Sequence, residues 1–176
     1  MIKKLLFAIA FAFSFPIMDS AQTAGAEVEI EDDFEEDGDM IPAPDFTLKD
    51  LQGKDVSLTS FQGDWVILDF WGSWCKYCLL SFPNMKEAYA KYHPLGLEII
   101  GIDCNESEEA WRQAVKALEL PWVSLYNPGP KGGELAQIYQ LQGYPTYVVI
   151  NPEGYIYEYF LGETPEMYEL LRAIYE

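Results

Sequence analysis

Two almost uninterrupted apolar segments stand out in the middle of the chain. Residues 65–70 read Trp-Val-Ile-Leu-Asp-Phe, and residues 97–103 read Leu-Glu-Ile-Ile-Gly-Ile-Asp. Continuous hydrophobic segments of this length are typical of strands that are covered on both faces, whereas half-exposed strands alternate. The pattern therefore predicts two central strands of a sheet that lies between helices.

Helical patterns follow these strands. Three segments have helical character: residues 79–92, 106–118 and 134–139. Pro83 predicts an early kink or restart in the first of them. A last helix is expected to run from Pro165 through Tyr175, with Thr164 as its N-terminal cap.

Shorter segments predict two β-hairpins. Their strands are residues 46–48 with 56–58, and residues 147–150 with 155–160. The first pair is centred on Gly53, and the second flanks the turn sequence Asn-Pro-Glu-Gly at 151–154. One more short strand is expected at residues 122–125. The order of elements predicts an α/β fold, with a central mixed sheet flanked by helices and an N-terminal β-hairpin extension.

The chain begins with the features of an export signal. Two lysines precede an apolar stretch at residues 5–15, and small residues at 24–26 fit a cleavage site. The stretch is short for a membrane span and is followed by Pro16, although a membrane anchor is the alternative. We expect residues 1–26 to be a signal peptide. Cleavage would then release a periplasmic or secreted protein that is not stably inserted in a membrane.

The net charge of −18 is unevenly distributed. Residues 27–39 contain nine acidic and no basic side chains, and the following part of the chain contains 19 acidic against nine basic ones. Because no basic patch is visible, nucleic acid is a poor candidate partner. We expect residues 27–40 to form an acidic disordered linker and residues 41–176 the folded domain. A calcium loop starting at Asp33 is the alternative for the linker, but Pro44 occupies its closing ligand position.

Three cysteines define the candidate chemistry. Cys75 and Cys78 stand where the strand at 65–70 passes into the next helix, and Cys104 follows the second central strand. A disulfide between such close residues constrains little chain entropy, so reactivity is its expected purpose. A helix N-terminus also favours the thiolate form of the first cysteine. The pair is therefore predicted to be a redox-active disulfide, with an inert structural pair as the alternative.

Metal binding is the competing interpretation of the cysteine pair. Zinc normally takes four ligands, and His93 is the single histidine of the chain. We therefore expect no metal and no cofactor. Cys104 is expected to be a buried free thiol, with a regulatory or resolving role as the alternative.

Two motifs carry a resemblance to a known family. Residues 69–78 read Asp-Phe-Trp-Gly-Ser-Trp-Cys-Lys-Tyr-Cys, and residues 143–146 read Gly-Tyr-Pro-Thr. They resemble the signatures of the thioredoxin superfamily and, within it, of the exported TlpA/ResA-like thiol–disulfide oxidoreductases, over residues 41–176. The resemblance implies a thioredoxin-like fold and a cis peptide bond before Pro145. It also implies protein thiol and disulfide substrates and an extracytoplasmic electron-transfer partner. A monomer is expected.

The resemblance assigns catalytic roles to three residues. Cys75 would attack a substrate disulfide, and Cys78 would then release the reduced substrate. Asp69 lies inside an apolar segment, where burial is costly and raises a carboxyl pKa. The resemblance implies that it accepts the proton of the second cysteine, and a hydrogen-bonded structural aspartate is the alternative.

The resemblance also implies a substrate-facing rim. Trp74 is expected at this rim, and Tyr144 is expected to present its backbone to the substrate beside Pro145. Trp71 is expected in the core instead.

The direction of electron flow and two other functions stay open. Lys76-Tyr77 replaces the Gly-Pro of thioredoxin, and Ser81 stands where many ResA-like proteins have glutamate. A peroxiredoxin is one alternative, but its pattern requires a threonine where this chain has Gly72. A thioredoxin-fold binding module or metallochaperone without turnover is the other.

Overall fold

The computed structural model describes residues 40–129 and 133–176. The predicted signal peptide, residues 1–26, and residues 27–39 of the predicted linker lie outside this part of the chain. The strands are β1 (Thr47–Asp50), β2 (Asp55–Ser57), β3 (Trp65–Trp71), β4 (Leu97–Asp103), β5 (Val123–Tyr126), β6 (Thr146–Ile150) and β7 (Ile156–Leu161). The helices are α1 (Lys76–Tyr92), α2 (Glu108–Leu118), α3 (Gly133–Ile138) and α4 (Pro165–Tyr175). None of these four helices combines the length and the apolar character needed to cross a lipid bilayer.

The strands form one mixed sheet in the order β2-β1-β5-β4-β3-β6-β7. β3, β4 and β5 run parallel, and the remaining neighbours are antiparallel. This arrangement confirms the predicted mixed sheet and both predicted hairpins. Because β1 also pairs with β5, the N-terminal hairpin continues the main sheet.

The two central strands are buried on both faces, as their apolar segments predict. Ile67 and Trp71 of β3 belong to the core that α1, α2 and α4 cover, whereas Leu68 and Phe70 belong to the core on the opposite face. α3 and the N-terminal hairpin contribute to that second core. Asp69 alternates with Leu68 and Phe70, so its side chain lies on the α1 face of the sheet.

Helix α1 differs from its prediction in two respects. It begins at Lys76 rather than Leu79, and it continues through Pro83 without the predicted restart. Proline removes one backbone donor from the helix, but Phe82 and Met85 on either side of it are buried against the sheet. Tertiary packing therefore maintains the helix across a residue that disfavours it.

Two helix N-termini also differ from expectation. α2 begins at Glu108 rather than Glu106, because Ser107 is its N-cap and accepts a hydrogen bond from the Ala110 backbone N–H at 3.2 Å. Thr164 occupies the N-cap position of α4 as predicted, but its side chain makes no capping hydrogen bond. A proline at the first helical position begins α4 instead.

Candidate active site

The cysteine pair lies where β3 passes into α1. A hydrogen bond from the Cys75 backbone N–H to the Gly72 carbonyl, 3.0 Å long, closes the connection between them. Cys75 is the N-cap residue of α1, and its Sγ accepts a hydrogen bond from the Cys78 backbone N–H at 3.2 Å. A sulfur in this position lies at the positive end of the helix dipole, which favours its thiolate form.

The two sulfurs differ in accessibility. Cys75 and Cys78 form a disulfide with an S–S distance of 2.06 Å. Cys75 is 5% exposed, whereas Cys78 is 0% exposed. An incoming sulfur therefore reaches Cys75 first. Lys76, which follows it, is exposed to solvent.

Hydrogen bonds connect the loop before Cys75 to the segment that follows β4. The Ser73 backbone N–H donates to Glu106 Oε1 at 2.7 Å, and the Ser73 hydroxyl donates to Glu106 Oε2. The Trp74 indole donates to the Cys104 carbonyl at 2.9 Å. Ser73 and Glu106 are functional candidates that sequence reasoning missed, because they are 33 residues apart and neither belongs to a periodic pattern. These contacts, which we call the loop clamp, hold the residues next to the disulfide in place.

Gly72 is required by the close approach of two segments. A Cβ atom at this position would lie 2.9 Å from the Cys104 carbonyl oxygen and still closer to the Trp74 ring. Any side chain larger than hydrogen would therefore displace the loop clamp. The threonine of the peroxiredoxin pattern belongs at this position, so the geometry argues against that alternative.

Asp69 is fully buried on the face of the sheet that α1 covers. Among the described residues, neither of its carboxyl oxygens has a hydrogen-bond partner. Burial raises the pKa of Asp69 to about 8. The group can therefore gain or lose a proton near neutral pH.

Two hydroxyl groups connect β6, which pairs with the strand of Asp69, to the redox helix α1. Tyr147 is the cross-strand partner of Asp69 in β6, and its hydroxyl donates to Ser81 Oγ at 2.8 Å. The Ser81 hydroxyl in turn donates to the Cys78 carbonyl at 2.8 Å. Ser81 is thus a buried neutral residue of α1 itself, three residues after Cys78. Of the described acids that are buried on this face, Asp69 lies closest in sequence to the cysteine pair.

A second buried acid, Asp103, was missed by sequence reasoning. It ends β4 opposite Trp71 and is fully buried. Burial, with a smaller contribution from Glu106, raises its pKa to about 9. The sequence pattern that could have identified Asp103 is an acidic residue at the end of an apolar strand segment.

Cys104 is a buried free thiol, as predicted. Its S–H donates weakly to the Ile102 carbonyl at 3.6 Å, and burial raises its pKa to about 12. Together with Leu68 and Phe70 it belongs to the core on the face opposite Cys75. The fold therefore separates the third cysteine from the disulfide by the sheet.

The predicted rim residues converge beside the disulfide. Trp74 is 51% exposed, and its ring meets that of Tyr144 edge to face at 5.3 Å. The peptide bond between Tyr144 and Pro145 is cis, as predicted, and Trp71 is fully buried. A groove of about 540 Å³ is lined by Tyr77, Leu80, Tyr144, Pro145, Leu161 and Glu163. It brings the residue between the cysteines next to the cis-proline turn.

Metal ligands are not grouped in the same way. Among residues 40–129 and 133–176, no three His, Cys, Asp or Glu side chains are placed to hold one metal ion. His93 lies at the C-terminal end of α1, where its Nδ1 is 3.1 Å from the Leu97 carbonyl and 3.3 Å from Glu98.

Comparison with known protein sequences gives one family and several relatives. The model of the AhpC/TSA family matches residues 41–159. The thiol-disulfide oxidoreductase ResA of Bacillus thuringiensis subsp. konkukian is 38% identical over 121 residues, which cover 69% of this chain and 68% of that protein. The family model covers most of the domain predicted from the sequence, residues 41–176.

Comparison with solved structures gives the same fold. The thioredoxin domain of a thiol-disulfide oxidoreductase from Bacteroides vulgatus superposes with a TM-score of 0.68 at 26% identity, covering 77% of this chain and 96% of that one. The pneumococcal exposed lipoprotein thioredoxin from Streptococcus pneumoniae strain TIGR4 gives a TM-score of 0.64 at 26% identity, covering 74% and 99%. The predicted thioredoxin-like fold is therefore confirmed.

Proposed function

The chain belongs to the AhpC/TSA family and is a thiol–disulfide oxidoreductase with a thioredoxin-like fold, and on that premise we propose how its residues divide the reaction. Cys75 is the attacking sulfur and Cys78 the resolving one. The supporting observation is the position of Cys75 as N-cap of α1, with its Sγ 3.2 Å from the Cys78 backbone N–H. That N–H and the helix dipole stabilise a thiolate on Cys75.

The reductive cycle starts from the protein dithiol. The Cys75 thiolate attacks one sulfur of a substrate disulfide, and the other substrate sulfur leaves as a thiolate. Cys78 then loses its proton and attacks Cys75 Sγ, which releases the first substrate sulfur and forms the Cys75–Cys78 disulfide. Two electrons pass from the protein to the substrate. Substrate oxidation uses the same atoms in reverse order.

Asp69 is the proposed proton acceptor for Cys78. Its carboxyl lies on the α1 face of the sheet, and its pKa of about 8 lets it exchange a proton at neutral pH. No other described acid combines full burial with a position in β3, the strand that leads into the pair. Trp74, Tyr144 and Pro145 form the surface that the substrate contacts during this exchange.

We further propose that the protein works outside the cytoplasm as a monomer. The N-terminal sequence has the order of a signal peptide, and one structural relative is an exposed lipoprotein. An extracytoplasmic thiol–disulfide partner would then return electrons to Cys75–Cys78. Mass determination of the exported product tests cleavage near residue 26, since an uncleaved chain would retain all 176 residues.

The test of the proposed function is dithiothreitol-driven reduction of insulin by the full-length chain. We expect turnover by the unmodified protein, complete loss in Cys75→Ser, and accumulation of a mixed disulfide in Cys78→Ser. Undiminished activity in Cys75→Ser would overturn the assignment. The reduction potential then sets the direction, with about −270 mV indicating a reductant and about −120 mV an oxidant.

A further inference from the structure

A row of exposed apolar side chains begins at the redox pair. Tyr77 and Leu80 in the first turns of α1 are 70% and 60% exposed, and Leu161 at the end of β7 is 61% exposed. All three line the 540 Å³ groove that contains the cis-proline turn. Large apolar side chains that are contiguous on a surface mark an interaction site. The groove is therefore a binding surface continuous with the disulfide.

One charged residue lines this groove. Glu163 lines it and also lines a second groove of about 600 Å³ between α1 and α4. Its Oε1 accepts hydrogen bonds from Asn84 Nδ2 at 3.0 Å and from the Tyr168 hydroxyl at 2.5 Å. Two donors on one oxygen hold the carboxylate in place at the groove.

We propose that this groove is a specificity subsite for protein substrates in which an apolar side chain neighbours the reactive cysteine and a lysine or arginine lies beyond it. The inference rests on the proposed function and adds the class of substrate. Tyr77, Leu80 and Leu161 receive the apolar side chain, and Glu163 pairs with the basic one. The occupant is an extended segment of the substrate that already contacts Tyr144 and Pro145.

The charge of the whole domain favours the same class of occupant. Residues 40–176 contain 19 acidic against nine basic side chains, so a basic segment is attracted over a longer range than the groove itself. Lys76 is exposed beside Cys75 but does not line the groove. A second copy of this acidic chain would be repelled, so self-association through the groove is disfavoured.

The experiment compares four peptides as substrates of the reduced full-length protein. Each contains one cysteine, blocked as a mixed disulfide with 2-mercaptoethanol, followed by Leu or Ser and then by Arg or Glu. The protein dithiol is oxidised to its disulfide as the peptide thiol and 2-mercaptoethanol are released. A second set carries the same residues before the cysteine, since either chain direction fits the groove. Each rate is divided by the rate for 2-hydroxyethyl disulfide.

We expect the Leu-Arg peptide to react fastest in one of the two sets. Replacing Leu by Ser should cost about 10-fold in kcat/KM, because the apolar side chain no longer fills the groove. Replacing Arg by Glu should cost about 3- to 10-fold, and this difference should vanish in 1 M NaCl. Equal rates for all peptides in both sets overturn the subsite.

Two pairs of variants connect the preference to the groove. Glu163→Gln should abolish the Arg preference, whereas Glu153→Gln, in the turn between β6 and β7 and outside the groove, should retain it. Leu161→Ser should reduce the Leu preference, whereas Leu95→Ser, 59% exposed and outside the groove, should not. Retention of both preferences in Glu163→Gln and Leu161→Ser refutes the assignment. Sedimentation of the unmodified protein as a dimer would assign the groove to a second copy instead.

Failure of the subsite is distinguishable from failure of the proposed function. If the protein reduces 2-hydroxyethyl disulfide and insulin but treats all peptides alike, the redox assignment stands and the subsite is wrong. If it reduces none of these disulfides, the proposed function itself is wrong.

Discussion

The cysteines on the two faces of the sheet have nearly equal burial and opposite chemistry. Cys75 and Cys78 on the α1 face are 5% and 0% exposed, and Cys104 on the other face is 0% exposed. Cys75 receives a backbone N–H at the start of a helix, whereas the Cys104 S–H donates weakly to the Ile102 carbonyl and lies away from a helix N-terminus. Burial raises the pKa of Cys104 to about 12.

Burial alone raises a thiol pKa, as it does for Cys104, so at nearly equal burial the backbone N–H and the helix N-terminus at Cys75 distinguish the two kinds of thiol. An N–H donor and a helix dipole stabilise a negative sulfur, and a carbonyl acceptor next to a desolvated thiol destabilises it. The same chain therefore contains a disulfide pair and a buried free cysteine within a few residues of the ends of β3 and β4.

The largest expected effect is in alkylation of the reduced protein by iodoacetamide at pH 8. With a pKa of about 12, the Cys104 thiol is about 10⁴-fold depleted in thiolate at this pH, and it is also enclosed. We expect Cys75 to be modified about 10⁴-fold faster than Cys104, as measured by peptide mass spectrometry over time.

Unfolding in urea provides the control for this comparison. It should remove the environment of both faces and make the rates at Cys75 and Cys104 similar. Rapid modification of Cys104 in the folded protein would show that the two faces do not differ as described. If Cys104 is modified rapidly in the folded protein, Cys104→Ser should also change turnover. If the two faces differ as described, Cys104→Ser should leave turnover unchanged.

The second prediction concerns the loss of folding stability that results from burying Asp69 on the α1 face. Because the pKa of Asp69 rises from 3.8 to about 8 on folding, the folded state holds a proton that the unfolded state releases between these pH values. Below pH 3.8 the carboxyl is neutral in both states and does not affect the free energy of unfolding. As the pH rises from about 4 to about 8, only the unfolded state releases the proton, and the free energy of unfolding falls. The slope is at most about 1.4 kcal/mol per pH unit.

Urea unfolding of Asp69→Asn across pH 5 to 8 measures this effect. We expect the variant to gain stability relative to the unmodified protein as the pH rises, by several kcal/mol at the upper end. Asp55→Asn, which alters an exposed carboxylate in β2, is the matched control and should not change the slope. A parallel pH dependence in Asp69→Asn would show that Asp69 keeps its unfolded-state pKa.

The same carboxyl gives a third, smaller effect on turnover. Loss of the proton acceptor in Asp69→Asn should slow release of the mixed disulfide by about 10- to 100-fold at pH 7. The loss should shrink at higher pH, where hydroxide and solvent remove the Cys78 proton. Quenched-flow measurement of mixed-disulfide decay tests this, and an equal loss at every pH would mean that Asp69 acts only through structure.

Much of the α1 face follows from the sequence, and the contacts across the sheet end do not. The strands at 65–71 and 97–103 follow from continuous apolar segments, and the redox pair follows from cysteine spacing and the strand-to-helix transition. Local periodicity reports which residues are buried. It does not report which distant residues make contact. The hydrogen bonds between Ser73 and Glu106 and between Tyr147 and Ser81 therefore could not be predicted from the sequence.

The fold differs from its prediction where packing overrides local preference. Pro83 predicted a break in α1, but the buried residues beside it keep the helix continuous. The start of α1 at Lys76 was also missed, because the residues before Leu79 have no apolar periodicity. It is the N-cap geometry of Cys75 that sets this boundary, and the proposed role of Cys75 as the attacking sulfur rests on the same geometry.

The smallest predicted effect tests the loop clamp, which connects the active-site loop to the Cys104 segment. Ser73→Ala removes the hydroxyl that donates to Glu106 Oε2 but keeps the backbone donor to Oε1 at 2.7 Å. We expect a loss of about 1 kcal/mol in unfolding free energy and about 3-fold in insulin reduction, because Trp74 and Cys75 become less well positioned. Ser60→Ala, which removes a hydrogen bond to the Ser57 carbonyl far from the pair, is the matched control and should leave insulin reduction unchanged. If Ser73→Ala lowers stability as Ser60→Ala does and also leaves turnover unchanged, the clamp supports the fold alone and the two faces of the sheet work independently.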